Sequence, residues 1–177
     1  HMGLKKSLMS YYRHNTAEAG RQVLDRLLAG ENGALVTDAG TPAVSDPGED
    51  LVALCAENGV EVVAVPGPCA LITALAVSGL PTARFTFEGF LPMNRKKRRA
   101  LLDTLAAEER TMIFYEAPHK LSATLEDLAA AFGGDRRVSL CRELTKLHEE
   151  VDRTTLAGAV ERYRTQAPRP VWSGRPP

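Results

Sequence analysis

The chain has 177 residues, enough for one sizeable domain or two small ones. Its 44% hydrophobic and 25% charged composition is that of an ordinary globular protein, and a formal net charge of zero excludes a global basic field for nucleic acid, though not a local patch. Cys55, Cys69 and Cys141 have neither metal-ligand nor disulfide spacing and suit a reducing compartment, and no apolar run approaches the roughly 18–20 residues of a membrane helix.

The opening His1-Met2 reads as a cloning scar and no signal peptide follows it. Asn15 or Thr16 can cap a helix over about 16–30, with Val23, Leu24, Leu27 and Leu28 as its apolar stripe. A strand is expected at about 33–37. Asp46 can then cap a helix whose first helical residue is Pro47 and whose end is Asn58-Gly59. A second strand at 60–65 and a small-residue helix over about 69–78 complete a β-α-β-α rhythm, which implies a parallel sheet. The rhythm pauses at Gly79 to Arg84, and a domain boundary is expected near 80–85. The second group predicts a strand at Phe85 to Phe90, a helix at 94–107, a strand at 110–115 and a helix at 118–132. Strands at 136–141 and near 149–154, then a helix from Leu156 to Arg164, follow. The Pro-, Gly- and Arg-rich tail over 166–177 should be poorly ordered or extended. The domains expected are therefore 3–82 and 83–165.

Two loops stand out. In Asp38-Ala39-Gly40-Thr41-Pro42-Ala43-Val44-Ser45-Asp46-Pro47-Gly48, two Gly and two Pro fall within nine residues directly after an apolar run. Pro66-Gly67-Pro68-Cys69-Ala70 follows the next apolar run. Proline fixes φ, and glycine admits positive φ and close backbone approach. Rigid loops at consecutive strand ends make a small-molecule site built largely from main chain, at the sheet edge where α/β folds bind ligands. Neither loop is a common nucleotide-binding fingerprint.

Two further segments follow strands. Tyr115-Glu116-Ala117-Pro118-His119-Lys120 either starts a helix or faces a cleft. Cys141-Arg142-Glu143-Leu144-Thr145-Lys146-Leu147-His148-Glu149-Glu150 is either a solvated charge run or a titratable cluster with a function. No zinc-ligand spacing and no nucleophile motif is present. Arg95, Lys96, Lys97, Arg98 and Arg99 form one electropositive run. Cations at a helix N-terminus oppose the macrodipole, which hints at phosphate binding. Tyr11 to Asn15 is a further RNA- or ligand-facing candidate, or equally a strand end and helix cap.

Taken in order, Asp38 to Pro42, Ser45 to Gly48, Pro66-Gly67-Pro68, Ser78 to Pro81, Phe87 to Pro92, Phe114 to His119 and Arg142 to Glu149 form a recognisable series. It resembles the bacterial small-subunit ribosomal RNA ribose 2′-O-methyltransferases that modify a decoding-centre cytidine, within the tetrapyrrole methylase superfamily. The resemblance covers roughly residues 4–164. It implies an α/β, two-domain tetrapyrrole-methylase-like fold, with a parallel sheet in the N-terminal domain and a mixed sheet in the C-terminal domain. It also implies a cytoplasmic homodimer, S-adenosylmethionine bound between the domains, and small-subunit ribosomal RNA in the 30S subunit as partner.

Carried over, cofactor contacts fall on Ala39, Gly40, Thr41, Val44, Cys69 and Ala70, with Glu116 and Leu140 lining the adenosine side. Family members commonly have Ser or Thr where Cys69 stands. Glu116, Glu143, Lys146 and His148, with His119 beside them, would supply base, orientation and phosphate contacts, and no metal is implied. Arg95 to Arg99 and Arg142 would engage RNA phosphates. The family's first strand with its loop, and its final apolar strand, have no counterpart here, so the fold is expected to be truncated at both ends. A tetrapyrrole methyltransferase and an inactive fragment of the RNA enzyme are the alternatives.

Overall fold

The computed structural model describes residues 7–12 and 14–165. The expected tail at 166–177, residues 1–6 and Arg13 of the Tyr11 to Asn15 cluster lie outside the described residues. The chain divides into two compact units, one through Cys69 and one from Ala70.

The first unit rests on two helices, α1 (Thr16–Leu28) and α2 (Glu49–Glu57). Ala19, Gly20 and Leu24 of α1 and Leu51 and Cys55 of α2 are buried. A Cβ on Gly20 would sit at ordinary contact distances, 3.6 Å from Leu54 Cδ2 and 3.7 Å from the Tyr11 hydroxyl, which places this face of α1 against α2 and Tyr11. Asn15 occupies the N-cap position of α1, but its side chain serves the preceding turn. It accepts from the Tyr12 N–H at 2.8 Å and donates to the Ser10 carbonyl at 3.0 Å.

Two expectations for this unit are corrected. The strands at 33–37 and 60–65 form no ladder among the described residues. Strand structure needs a hydrogen-bonded neighbour, and these two segments do not pair with each other. Val36, Val62, Val63 and Val65, suited to a buried parallel sheet, are exposed instead. The second correction is the start of α2. Gly48, with φ of 140°, is its N-cap, so Pro47 lies before the helix rather than in its first turn. Asp46 does not cap; it accepts the Thr37 hydroxyl at 3.0 Å.

The second unit opens with α3 (Ala70–Val77), then β1 (Phe85–Phe90), α4 (Arg95–Leu105) and β2 (Thr111–Tyr115). A 3-10 turn at Pro118–Lys120 leads into α5 (Leu121–Phe132), followed by β3 (Arg137–Arg142), β4 (Glu150–Thr155) and α6 (Leu156–Thr165). Asn94 caps α4 by accepting the Lys97 N–H at 3.1 Å. β1 and β2 are parallel, with an irregularity between Phe87 and Gly89. Gly89 has φ of 63°, which fits a bulge that glycine relieves. β3 and β4 are antiparallel, from Arg137 opposite Thr155 to Arg142 opposite Glu150.

Leu91, Leu102, Leu125, Leu128, Leu156 and Ala159 form the core of this unit. Phe114, Val138 and Leu140 pack against it, so both strand pairs share one apolar layer with α4, α5 and α6. The break between units falls before α3 rather than at 80–85 because α3 is tied to the hairpin. Cys141 Sγ lies 3.8 Å from the Ala74 carbonyl, and Arg153 donates to the Val77 carbonyl.

Candidate active site

In the first unit the two Gly/Pro loops are joined directly. Thr41 donates its hydroxyl to the Pro68 carbonyl at 2.9 Å. Four residues of the first loop have left-handed or related backbone: Gly40 (φ 79°), Ala43 (65°), Ser45 (67°) and Gly48 (140°). Ala and Ser in that region store strain that persists only where surroundings impose it, a pattern that clusters at ligand clamps. A Cβ on Gly48 would lie 2.5 Å from Leu35 Cδ2 and 3.3 Å from Ala43 Cβ. The glycine therefore sets the fold-back of the loop on the apolar run that precedes it. Gly40 faces open space. Within Ala39 to Val44 the backbone hydrogen bond formed is Val44 N–H to the Thr41 carbonyl at 3.4 Å. The loop thus offers main-chain donors and acceptors to a ligand. Ala39, Gly40, Thr41 and Val44 lie together on it, and Cys69 follows the loop to which Thr41 is tied. Ala70 is the first residue of α3 in the second unit.

A pocket beside the same loop is lined by Ala43, Ser45, Asp46, Glu49 and Asp50. Asp50 also accepts from the Tyr11 hydroxyl at 2.7 Å. Burial, then this hydrogen bond to a carboxylate, raises the Tyr11 pKa, while the same bond lowers that of Asp50.

In the second unit the expected residues separate into two groups. Glu116, just past β2, is spoken for internally. It accepts from the Ala117 N–H at 2.8 Å and from the Thr124 hydroxyl at 2.5 Å. Thr124 in turn accepts from Arg98 at 2.8 Å, and Arg98 lies 2.6 Å from Asp127. This chain of contacts runs between α4 and α5 and the end of β2. Arg98 is only 14% exposed, whereas Arg95, Lys96, Lys97 and Arg99 are exposed on α4. The basic run thus splits into four outward cations and one structural arginine. His119 is exposed in the 3-10 turn. Leu140 packs its side chain on the core.

The other group is the loop between β3 and β4, residues 143–149. Glu143 and Lys146 form an ion pair at 3.2 Å, and Glu149 accepts the Thr145 N–H at 2.6 Å. Glu143 and Thr145 have φ of 51° and 67°. A β-branched residue in this region is a genuine outlier. The loop brings Glu143, Lys146 and His148 into one segment, with Leu147 92% exposed at its tip. Arg142 at the end of β3 is paired with Glu150 directly opposite it.

Sequence reasoning missed the Thr41–Pro68 tie, the Thr124 relay and the strained residues Ala43, Ser45 and Thr145. Only the glycines announced the backbone geometry, because Ala, Ser and Thr carry no signal for positive φ. Among the described residues no three His, Cys, Asp or Glu side chains gather into a metal-binding group, and no helix is long and apolar enough to cross a membrane.

"Ribosomal RNA small subunit methyltransferase I" of Synechocystis sp. is 48% identical over 96% of the chain and 61% of its own length. The protein of the same name from Escherichia coli O157:H7 is 49% identical over 85% of the chain and 53% of its own length. The chain thus spans between half and two thirds of the length of these relatives. Among solved structures, the methyltransferase CobJ matches with a TM-score of 0.64 at 20% identity, covering 89% of this chain and 70% of that one. Cobalt precorrin-4 methyltransferase CbiF matches with a TM-score of 0.59 at 20% identity, over 94% and 70% respectively. These neighbours share the α/β fold. The family model for Tetrapyrrole (Corrin/Porphyrin) Methylases matches residues 5–160, and the chain belongs to that family.

Proposed function

We propose that the protein is an S-adenosylmethionine-dependent methyltransferase that methylates a ribose 2′-hydroxyl of a cytidine in small-subunit ribosomal RNA. The observation that carries this reading is the 48% identity, over 96% of the chain, to a relative named for that class of substrate. The loops of the first unit fit the cofactor's chemistry. An adenosine with an amino-acid tail presents amine, carboxylate and ring groups, and Ala39 to Val44 offer main-chain N–H and C=O groups that are not consumed by secondary structure. Ala39, Gly40, Thr41, Val44 and Cys69 would hold it there. When bound, the cofactor supplies an electrophilic methyl group on its sulfonium.

The rest of the task falls to side chains. The attacking hydroxyl must be aligned, and its proton must be accepted as the new O–C bond forms. Glu143 and His148 are the candidate proton acceptors of the 143–149 loop, Glu149 being engaged with Thr145, and Lys146 is placed to hold Glu143 while meeting a phosphate. Glu116, with its oxygens accepting from Ala117 and Thr124, acts as a positioning residue for the end of β2 rather than as the base. The exposed cations Arg95, Lys96, Lys97 and Arg99 provide phosphate contacts, and Arg142 contributes from its pair with Glu150. A homodimer in the cytoplasm, acting on the 30S subunit, completes the reading.

The test is methyl transfer from labelled S-adenosylmethionine to 30S subunits that lack the modification, followed by nucleoside analysis. Label in ribose-methylated cytidine supports the reading. Label in a uroporphyrinoid and not in RNA would replace it with tetrapyrrole methylation, the chemistry of the structural neighbours.

A further inference from the structure

The arginines of the second unit divide by partner. Arg98, Arg110, Arg142 and Arg162 each pair with a carboxylate: Asp127, Glu108, Glu150 and Asp152. Arg136 lies over the Phe132 ring and donates to the Glu108 carbonyl at 2.7 Å. Among the described residues Arg137 and Arg153 have no carboxylate partner. Each donates one guanidinium N–H to main chain at the end of α3, Arg153 to the carbonyl of its last residue, Val77, and Arg137 to the Gly79 carbonyl at 3.4 Å. The arginine fork has five N–H donors, so most of both forks remain available.

The register places these two side chains together. Arg137 is opposite Thr155, and Arg153 is opposite Ser139. Residues directly opposite share a face, as do residues two apart on a strand, so Arg137, Ser139, Arg153 and Thr155 lie on one side of the hairpin. Two like charges held as diagonal neighbours repel one another. Gly79 adjoins them: its φ of 71° is one that glycine adopts freely, and a Cβ there would meet Cδ and Nε of Arg153 at an ordinary contact distance of 3.5 Å. A cavity of about 350 Å³ follows, lined by Ser78, Leu80, Arg137, Arg153, Thr154 and Thr155. Thr155 accepts the Gly158 N–H at 3.2 Å, which leaves its hydroxyl proton free to donate. Ser78 is spent on the turn, donating to Leu75 and accepting from Leu80.

We propose that Arg137 and Arg153, with the Thr155 hydroxyl, form a phosphate-binding subsite that holds a backbone phosphodiester of the RNA substrate. The proposal rests on the ribosomal RNA reading above and adds a contact that the basic run on α4 does not contain. Planar forks match phosphate oxygens bidentately, and one anion between two guanidiniums removes their repulsion. The C-terminal end of α3 holds the forks in place, since its carbonyls favour cations. Both arginines are exposed, which suits a phosphate that belongs to a polymer lying across the surface.

The test uses inorganic phosphate and an RNA fragment carrying the substrate helix. Phosphate should shift the amide signals of residues 78–80 and 153–155 saturably, and R137Q/R153Q should abolish that shift. The same variant should weaken RNA binding about tenfold at low salt and flatten the plot of log Kd against log salt by about 1–2. R137K/R153K keeps the charges and the main-chain ties and loses the forks, so it should keep the slope and lose affinity severalfold. It decides the matter if the glutamine variant fails to fold. RNA binding unchanged in both variants would overturn the subsite and leave the RNA reading standing. Phosphate binding without any RNA binding by the parent chain would overturn the assignment to RNA and leave a free-phosphate site. Binding of neither would overturn the proposal outright.

Discussion

The two units solve the same problem by different means. Residues 143–149 of the second unit hang between two paired strands whose hydrophobic neighbours form a continuous core. Residues 38–48 of the first unit have no ladder behind them among the described residues, and their shape comes from glycine geometry, two hydroxyl ties and the α1–α2 contact. Both loops hold non-glycine residues at positive φ, yet among the described residues only the second is secured by an ion pair; the charged side chain that ties the first, Asp46, accepts a neutral hydroxyl. A loop fixed by backbone sterics suits a cofactor met by main chain. A loop fixed by an ion pair can exchange that pair for a charged substrate.

The comparison can be broken most forcefully from the core. Leu125→Ala removes a side chain only 1% exposed and should cost about 2–5 kcal/mol. Hydrogen exchange should show the loss in α5, α6 and β3, and a urea titration gives its size. Gly48→Ala comes next. Its φ and the 2.5 Å approach to Leu35 predict about 1–3 kcal/mol, partly recovered in G48A/L35A. Loss of cofactor affinity should accompany it, because Ala43 and Ser45 share the strained turn.

Thr41→Val deletes the tie to Pro68 and should cost about 1 kcal/mol in stability. It should loosen both Gly/Pro loops in amide exchange and leave α1 and α2 unaffected. Glu149→Gln weakens the hold on Thr145 and should change stability by less than about 1 kcal/mol, since the group is exposed. Its sharper effect should be on methyl transfer, with kcat falling more than KM rises.

The smallest effect is electrostatic. Arg110, by hydrogen bonding, holds the Glu108 carboxyl down to about 2 from its ordinary 4.5. A carboxylate with a depressed folded pKa contributes stability that is complete above its unfolded value and lost as pH falls through its folded value. Stability should therefore drop between about pH 4.5 and 2, and Glu108→Gln should flatten that part of the profile in acid titration. A profile unaltered by the substitution would remove the pair from the account.

The second unit was the more legible of the two. Asn94 ahead of a helix and the alternating run Phe85 to Phe90 carry local signals that tertiary structure obeys. The 33–37 and 60–65 segments carry equally apolar runs, but a ladder is a property of pairs of segments, and no strand pairs with them among the described residues. The start of α2 misled because Asp46-Pro47 is a good capping pair, while the backbone at Gly48 decides where the helix begins. For the candidate site, the loops were visible through Gly and Pro. The fate of Arg98 was not, because a run of five cations does not reveal which one turns toward Thr124 and Asp127. Nor does composition show that Arg137 and Arg153 would share a face; that follows only from the register of β3 and β4.

The central claim is that the two tied loops of the first unit form the cofactor site. The most direct measurement is a titration of the chain with S-adenosylmethionine, followed by calorimetry and backbone amide shifts. The account predicts saturable binding, with shifts concentrated in 38–48 and 66–70 and weakened by Thr41→Val. A folded chain that binds no cofactor, or binds it with those loops unperturbed, would contradict it.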